Sequence, residues 1–502
     1  MNFGRRGPDA VDEEPHAKSK ERGHGQDNAR SVPQPTEDPV SESHQRFARL
    51  SCNIEPLSPQ VSVFLLKSDK FGLAMSLLLA GSMWFYVQHV LIPHQQAEAV
   101  LHGTPRGNLS DLYPRWLGAR ELLLHHRDPY SLEITREIQA GYYGRPLDPA
   151  RPQDPKDQQR FAYPAYVVFL LAPTIRLPFT EVQSGFRWLL VLLTVATILL
   201  WLRVLRWRPS LATTMIIIIL TLGSFQVLQG IKLQQLSLIV AGLIAACAVA
   251  LFQNYFALAG VLLAVATAKP QLVLPLVAWL LLWTLSDWHH RKNLIWGFVL
   301  TMTTLVVAAE YVLPGWIGRF REALTAYRQY NDGAASVLGM LVAPELGWAL
   351  ALLGVVALAA TGWRFRRASV QSPTFSTMLA LVLAVTVVIV PKASPYNQVL
   401  LLPGCLLVAR KWRILVQRSR LIHGTLVASV VILAWPWLAA TGLTVFSLFM
   451  PAQWVQQGWA VPVWTSLAIP LCVVLLLVCG LRDLTVTSPG DRLHPISSMP
   501  VD

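Results

Sequence analysis

The sequence predicts an all-α, polytopic membrane protein, and three observations carry that prediction. Only 14% of its residues are charged while 53% are hydrophobic, where a soluble chain carries about 25% charged residues. Apolar stretches of roughly 17 to 25 residues, the length that crosses hydrocarbon, recur from residue 71 almost to the C-terminus. Lys and Arg punctuate these stretches in short clusters instead of forming one basic face. The net charge of +13 is therefore read as topology, and nucleic acid is not an expected partner. A chain of 502 residues with so little polar surface cannot divide into several water-facing domains.

Met1 to about Gln60 is rich in Pro, Gly, Ser and charged residues and poor in aromatics, so it cannot bury enough apolar surface to offset ordering entropy. Residues 1–60 are predicted to be a disordered cytoplasmic tail, 61–485 the transmembrane domain, and 486–502 a second disordered cytoplasmic segment. Nothing apolar begins before about Val61, later than the core of a cleaved signal peptide. The five cysteines form neither a CxxC nor a secreted-type cluster, so neither a disulfide nor a thiolate metal site is expected.

The first span is read as Phe71 to Ile92, followed by a polar stretch, 93–183. Later spans fall near 186–203, 211–228, 235–252, 255–268, 271–286, 294–313, 337–360, 375–391, 396–409, 421–443 and 461–481, about twelve in all. Basic clusters at Arg203/Arg206/Arg208, Arg291/Lys292, Arg364/Arg366/Arg367, Arg410/Lys411/Arg413 with Arg418/Arg420, and Arg482 lie on alternate loops. Positive charge marks the cytoplasmic side, so both termini are expected there. This holds provided 161–180 does not cross, and that segment, short and bounded by prolines, reads as an interfacial or re-entrant helix. The stretch 93–183 becomes an extracytoplasmic platform, and the absence of sorting signals points to a bacterial plasma membrane.

On this topology the outer face gathers Lys232, Lys269, Glu310, Asp332, Lys392 and Asn397 beside apolar boundaries, where ionisable groups are costly. Asp111 precedes an amphipathic stretch from Trp116 to His126; it is either a helix-capping acid or a partly desolvated general base. With no DxD or ExD around it, a bridging metal is not expected. Lys269-Pro270 and Pro391-Lys392 pair an ammonium with a helix breaker, which suits holding a phosphate or simple snorkelling. Gln234-Gln235-Leu236-Ser237 adds neutral donors or is an ordinary loop. Tyr163-Pro164, preceded by Arg160, can belong to the interfacial aromatic belt. Glu310 can orient a substrate hydroxyl or pair with a lysine. No phosphate-cradling glycine loop, GxSxG or HExxH occurs, so soluble nucleotide chemistry is not indicated.

Asp111-Leu-Tyr, Ala119-Arg-Glu-Leu-Leu-Leu, Asp128-Pro-Tyr130, Phe161-Ala-Tyr-Pro, Gln235-Leu-Ser-Leu, Ala259-Gly260-Val-Leu-Leu-Ala and Lys269-Pro-Gln271 stand in an order that resembles the membrane glycosyltransferases with the C-type fold. The resemblance is to the family of polyprenol-phosphate-mannose-dependent α-1,2-mannosyltransferases, over about residues 71 to 410. It implies an inverting hexosyl transfer, in particular mannosyl transfer, on the outer side of the membrane. The donor would be a polyprenyl-phosphate sugar and the acceptor a lipid-linked or extracytoplasmic glycan, with membrane lipids around them and no cofactor. It places the catalytic base at Asp111, the family's Lys-Pro motif at Lys269 and Pro270, and its aromatic-Tyr-Pro motif at Tyr163 and Pro164. The chain departs from the family at Tyr163-Pro164-Ala165, where Tyr-Pro-Pro is usual, at Gln234-Gln235-Leu236-Ser237, where Gly-Gln-x-Asn is usual, and at Asn331-Asp332-Gly333, where a polar Asn-Gln-Ser motif is usual.

Such a reaction passes through an oxocarbenium-like state while negative charge grows on the departing phosphate, and cations in a dry site stabilise that charge. Donor-phosphate candidates are Lys269, Lys392, Lys232 and Arg160; substrate-binding candidates are Tyr163, Gln235, Gln271, Glu310 and Asn397, with no metal. A lipid-phosphate donor needs a lateral groove, and the helix near Tyr163 to Leu177 is placed to wall it. A multi-pass transporter or flippase also uses broken helices and intramembrane lysines, but it predicts internal repeats, which the halves do not show. A lipid-linked oligosaccharide ligase or polymerase is the third reading, set against by the early position of the polar loop.

Overall fold

The computed structural model describes residues 69–104, 110–330, 335–417 and 420–481. The predicted tails, Asn331-Asp332-Gly333 and Arg482 lie outside the described residues. No strand occurs among the described residues, all of which fall within one unit, Val63–Asp502.

Helix α1 (Asp69–Leu101, 33 residues) carries a π-helical turn at Val87–Leu91. The platform follows with α2 (Leu112–His125), α3 (Leu132–Tyr143) and the five-residue α4 (Val167–Leu171). Ser131 caps α3 by accepting from the Ile134 N–H, the usual role of serine at a helix start. Helix α4 runs into a 3-10 turn at Ala172–Thr174 and is too short to cross hydrocarbon. The platform is tied by Arg127, which pairs with Glu121 at 2.7 Å and Glu133 at 3.0 Å, and by Arg145, which pairs with Asp154 at 2.5 Å. The Phe161 ring packs so tightly on α2 that a Cβ at Gly118 would strike it.

The membrane part runs through α5 (Phe179–Val204), α6 (Leu211–Leu222), α7 (Phe225–Lys232), α8 (Leu236–Phe252), α9 (Phe256–Ala266), α10 (Pro270–Leu285) and α11 (Trp288–Val312). It continues with α12 (Trp316–Tyr330), α13 (Val337–Leu341), α14 (Pro344–Arg364), α15 (Pro373–Ile389) and a 3-10 stretch at Pro395–Leu401. Helices α16 (Leu402–Arg410), α17 (Trp412–Val416), α18 (Arg420–Phe446), α19 (Ala452–Gln457) and α20 (Ala468–Cys479) complete the described chain.

Among the described residues, six runs are long and apolar enough to span a membrane: α1, α5, α11, α14, Ile422–Phe446 of α18, and Ala452–Cys479. Helices α6 and α7 make a seventh if taken as one span, bent by 57° where Ser224 caps a new start. The predicted twelve spans are therefore not all helices of spanning length. The apolar stretches at 235–252, 255–268, 271–286 and 375–391 become α8, α9, α10 and α15, each 10–17 residues long. The stretch 396–409 divides into a 3-10 segment and the nine-residue α16. Helices α8 and α15 are buried along nearly their whole length, so they face protein, and spanning length is not what their packing requires.

Helices α9 and α11 cross at their backbones. A Cβ at Gly260 would meet the Leu294 carbonyl, and one at Gly297 would meet the Ala257 carbonyl; two glycines are what lets the helices approach so closely. The loops at one end carry the basic clusters. There Arg206 donates to Gln371 at 2.8 Å, Arg410 to the Leu205 carbonyl, and Ser286 to the Arg366 carbonyl at 2.6 Å. The other end of α5, α8 and α10 carries the buried polar cluster described next.

Candidate active site

Asp111 stands at the start of α2, but its side chain makes no capping bond. Ser110 does that work, accepting from the Leu112 N–H at 3.0 Å and donating to the Leu233 carbonyl at 3.1 Å. The capping explanation of Asp111 is thereby removed. Its Oδ2 instead accepts a short hydrogen bond from the Gln235 amide. Burial pushes the Asp111 carboxyl above its ordinary range, with Arg115, Lys269 and Lys392 pulling the other way.

Gln235 stands immediately before α8 and Lys269 immediately before α10. Neither helix is capped by its own first side chain, and both starts meet. The Lys269 ammonium donates to Ser237 Oγ at 2.6 Å, to Asn397 Oδ1 at 3.2 Å and to Gln235 Oε1 at 3.5 Å. Ser237 in turn donates to Asn397 at 2.8 Å. Gln235, Ser237, Lys269 and Asn397 are each at most 4% exposed. The ammonium also lies 4.8 Å from the centre of the Tyr396 ring. Two helix N-termini carry partial positive charge, so an ammonium between them is kept there at an electrostatic cost. Burial, and then the Arg115 charge, push Lys269 down to about 7, with Asp111 opposing them.

Local backbone supports the placement. Gln234 has a φ of +47°, which costs a non-glycine residue about 1 kcal/mol. Its side chain compensates by donating to the carbonyls of Ile231 at 2.6 Å and Lys232 at 2.8 Å. Lys392 has a φ of +70°. Its ammonium reaches Tyr327 at 2.8 Å and Asp157 at 3.9 Å.

Three contributors were not picked out from the sequence. Arg115, one helical turn after Asp111, stacks 4.1 Å from the centre of the Tyr163 ring and donates to the Tyr163 hydroxyl at 2.7 Å. The i, i+4 spacing from Asp111 was the available signal. Tyr327 arrives on α12, an amphipathic helix in a stretch where no element was predicted. Trp316 and Phe320 of that helix pack on Tyr166 and Tyr130 of the platform, and Arg319 pairs with Asp128 at 2.9 Å. Tyr396 comes from the 3-10 stretch that also delivers Asn397.

The structure therefore brings together Asp111, Tyr163, Gln235, Lys269 and Asn397, with Lys392 alongside. The remaining candidates have other engagements. Lys232 donates to Gln95 at 2.5 Å. Arg160 donates to Gln158 at 2.7 Å, and Gln271 is exposed at the second position of α10. Glu310 is exposed and accepts from the Gly315 N–H at 2.7 Å, closing the turn after α11. Among the described residues, no group of three or more His, Cys, Asp or Glu is arranged to hold a metal ion.

An open, mostly apolar cavity of about 510 Å³ lies between Phe169 of α4 and Thr303, Thr304, Val307 and Tyr311 of α11. Contacts through neighbouring residues link its walls to the stretch that carries Lys269. Tyr166 donates to the Thr267 carbonyl at 3.0 Å, two residues before Lys269, and Thr267 contacts Met302 at 3.3 Å. A partly buried carboxylate and a buried ammonium joined by one amide can deprotonate a hydroxyl and hold a lipid-borne anion.

Residues 161–391 match the model of glycosyltransferase family 87. No curated protein and no solved structure matches the chain. The matched region takes in Tyr163, Gln235 and Lys269; it begins after Asp111 and stops one residue before Lys392. With the apolar helices, the match supports a membrane glycosyltransferase, which uses a sugar donor and an acceptor, and does not favour a transporter.

Proposed function

We propose that this chain transfers a hexose, mannose on the resemblance, from a polyprenyl phosphate to a lipid-linked or extracytoplasmic glycan hydroxyl with inversion. The observation that carries the reading is the Gln235 bridge, which keeps the Asp111 carboxylate and the Lys269 ammonium near one another in a buried site without letting them neutralise each other as an ion pair. Asp111 takes the acceptor proton as the acceptor oxygen bonds to the anomeric carbon. The bond from that carbon to the phosphate oxygen breaks, and its electron pair leaves with the lipid phosphate. Lys269 holds the phosphate, assisted by Ser237, Asn397 and the two helix starts; Lys392 and Tyr163 line the approach. The groove between α4 and α11 takes the prenyl chain from the side, so no nucleotide pocket is needed. In this reading the site faces the extracytoplasmic side of a plasma membrane and both termini are cytoplasmic, as the positive-inside rule requires.

The test is donor identity. Membranes containing the protein are incubated with a lipid extract and either radiolabelled polyprenyl-phosphate mannose or radiolabelled nucleotide mannose, the latter with lipid-phosphate mannose synthesis blocked. Label is expected in a new lipid from the first donor alone. Equal transfer from the nucleotide sugar would overturn the donor assignment.

A further inference from the structure

Arg115 is the one cation of this cluster with donors to spare on buried atoms. Its Nη2 is spent on the Tyr163 hydroxyl and its plane is fixed against the Tyr163 ring. Its Nε and Nη1 are buried and without a hydrogen-bond partner, an arrangement costly enough to call for an occupant. Asp111 is not that occupant, since its carboxylate turns to Gln235. Arg115 lies one helical turn from Asp111 on α2, and Asp111 and Lys269 share the Gln235 amide, so the two cations stand around one site.

We propose that Arg115 and Lys269 hold the departing lipid phosphate between them, with Arg115 answering the second negative charge that appears when the sugar leaves. This rests on the transfer reaction proposed above and assigns a division of labour within it. The donor is a phosphodiester with one negative charge, which the Lys269 ammonium balances. Cleavage leaves the electron pair on oxygen and produces a phosphomonoester, whose charge approaches −2 above its second pKa of about 6. One ammonium no longer balances it; a guanidinium with unspent N–H groups does. Arg115 thus contributes more to the transition state and the product than to the bound donor.

The experiment uses the full chain in lipid nanodiscs at pH 7, where a phosphomonoester is already mostly dianionic, with farnesyl phosphate and its methyl diester as probes. The wild type is expected to bind the monoester more tightly than the diester. Arg115→Gln should lose that preference by about 10- to 100-fold, the size of a charged hydrogen bond, while still binding the diester through Lys269, which also shows that the variant is folded. Arg115→Lys should keep part of the preference, and Arg115→Gln should lower kcat for transfer more than it raises KM for the donor. An unchanged monoester preference in Arg115→Gln overturns the proposal even if transfer is lost, because Arg115 would then serve the acceptor. A wild type that transfers no sugar and binds neither probe overturns the transferase reading as well, so the two failures are distinguishable.

Discussion

Replacing Lys269 by methionine removes the ammonium and keeps an unbranched side chain of similar reach. In the free protein the change gives up three hydrogen bonds, to Ser237, Asn397 and Gln235, which at the low end for a charged donor are together worth about 4 to 5 kcal/mol. Against this, a buried cation repelled by Arg115 is no longer desolvated, a gain of several kcal/mol in comparable sites. Ser237 keeps its bond to Asn397, and Gln235 its bond to Asp111. The two sides nearly cancel, so Lys269→Met should fold and unfold within about 2 kcal/mol of wild type. Transfer has no such compensation. A preorganised donor aimed at developing oxyanion charge is worth about 3 to 4 kcal/mol, or 10²- to 10³-fold in kcat. The assay is radiolabelled mannose transfer in nanodiscs, with thermal unfolding followed on the same samples by tryptophan fluorescence. A folded Lys269→Met protein that keeps kcat within a few-fold of wild type would refute the role of the ammonium.

Other predictions follow from the same geometry. Asp111, raised by burial, must be ionised to act as base, so activity should fall as pH drops through its elevated pKa. Lys269, near pH 7 in the free protein, must be protonated to bind phosphate, so kcat/KM should decline above about that value. Lys269→Arg should move this basic limb upward because guanidinium does not titrate there; an unmoved limb would assign it to another group. Gly260→Val places a side chain against the α11 backbone, which cannot give way as a side-chain tip can. A loss of about 3 kcal/mol or more is expected, read as a lower unfolding temperature, and an unchanged one would contradict the close crossing of α9 and α11.

Much of the candidate site was legible because ionisable and amide groups at the edge of apolar stretches are conspicuous. Asp111, Gln235, Lys269 and Asn397 stood out for that reason, and the fold brings all four together. Arg115 did not stand out, because on a polar platform helix an arginine looks like ordinary surface; only its position one turn from Asp111 set it apart. Tyr327 depends on α12, whose Trp316, Phe320, Ala323 and Tyr327 recur at helical spacing in a stretch too polar for a hydropathy scan to register. Glu310, Arg160 and Gln271 shared the boundary position of the others, but hydropathy locates depth and not azimuth, and these side chains point to local partners or solvent. The same limit explains the span count. An apolar stretch that faces protein, as α8 and α15 do, reads the same as one that faces lipid, yet its length is set by its neighbours.

The central claim is that Asp111 is the base of a sugar transfer from lipid phosphate, and Asp111→Asn tests it most directly. The substitution keeps the size of the side chain and leaves an oxygen to accept from Gln235. Membranes with equal amounts of inserted wild type or Asp111→Asn receive radiolabelled polyprenyl-phosphate mannose and a lipid extract. The account predicts label in a new lipid with the wild type, and a loss of at least about 10²-fold with the variant, the scale of general-base catalysis. Transfer by Asp111→Asn at a rate near wild type would contradict it.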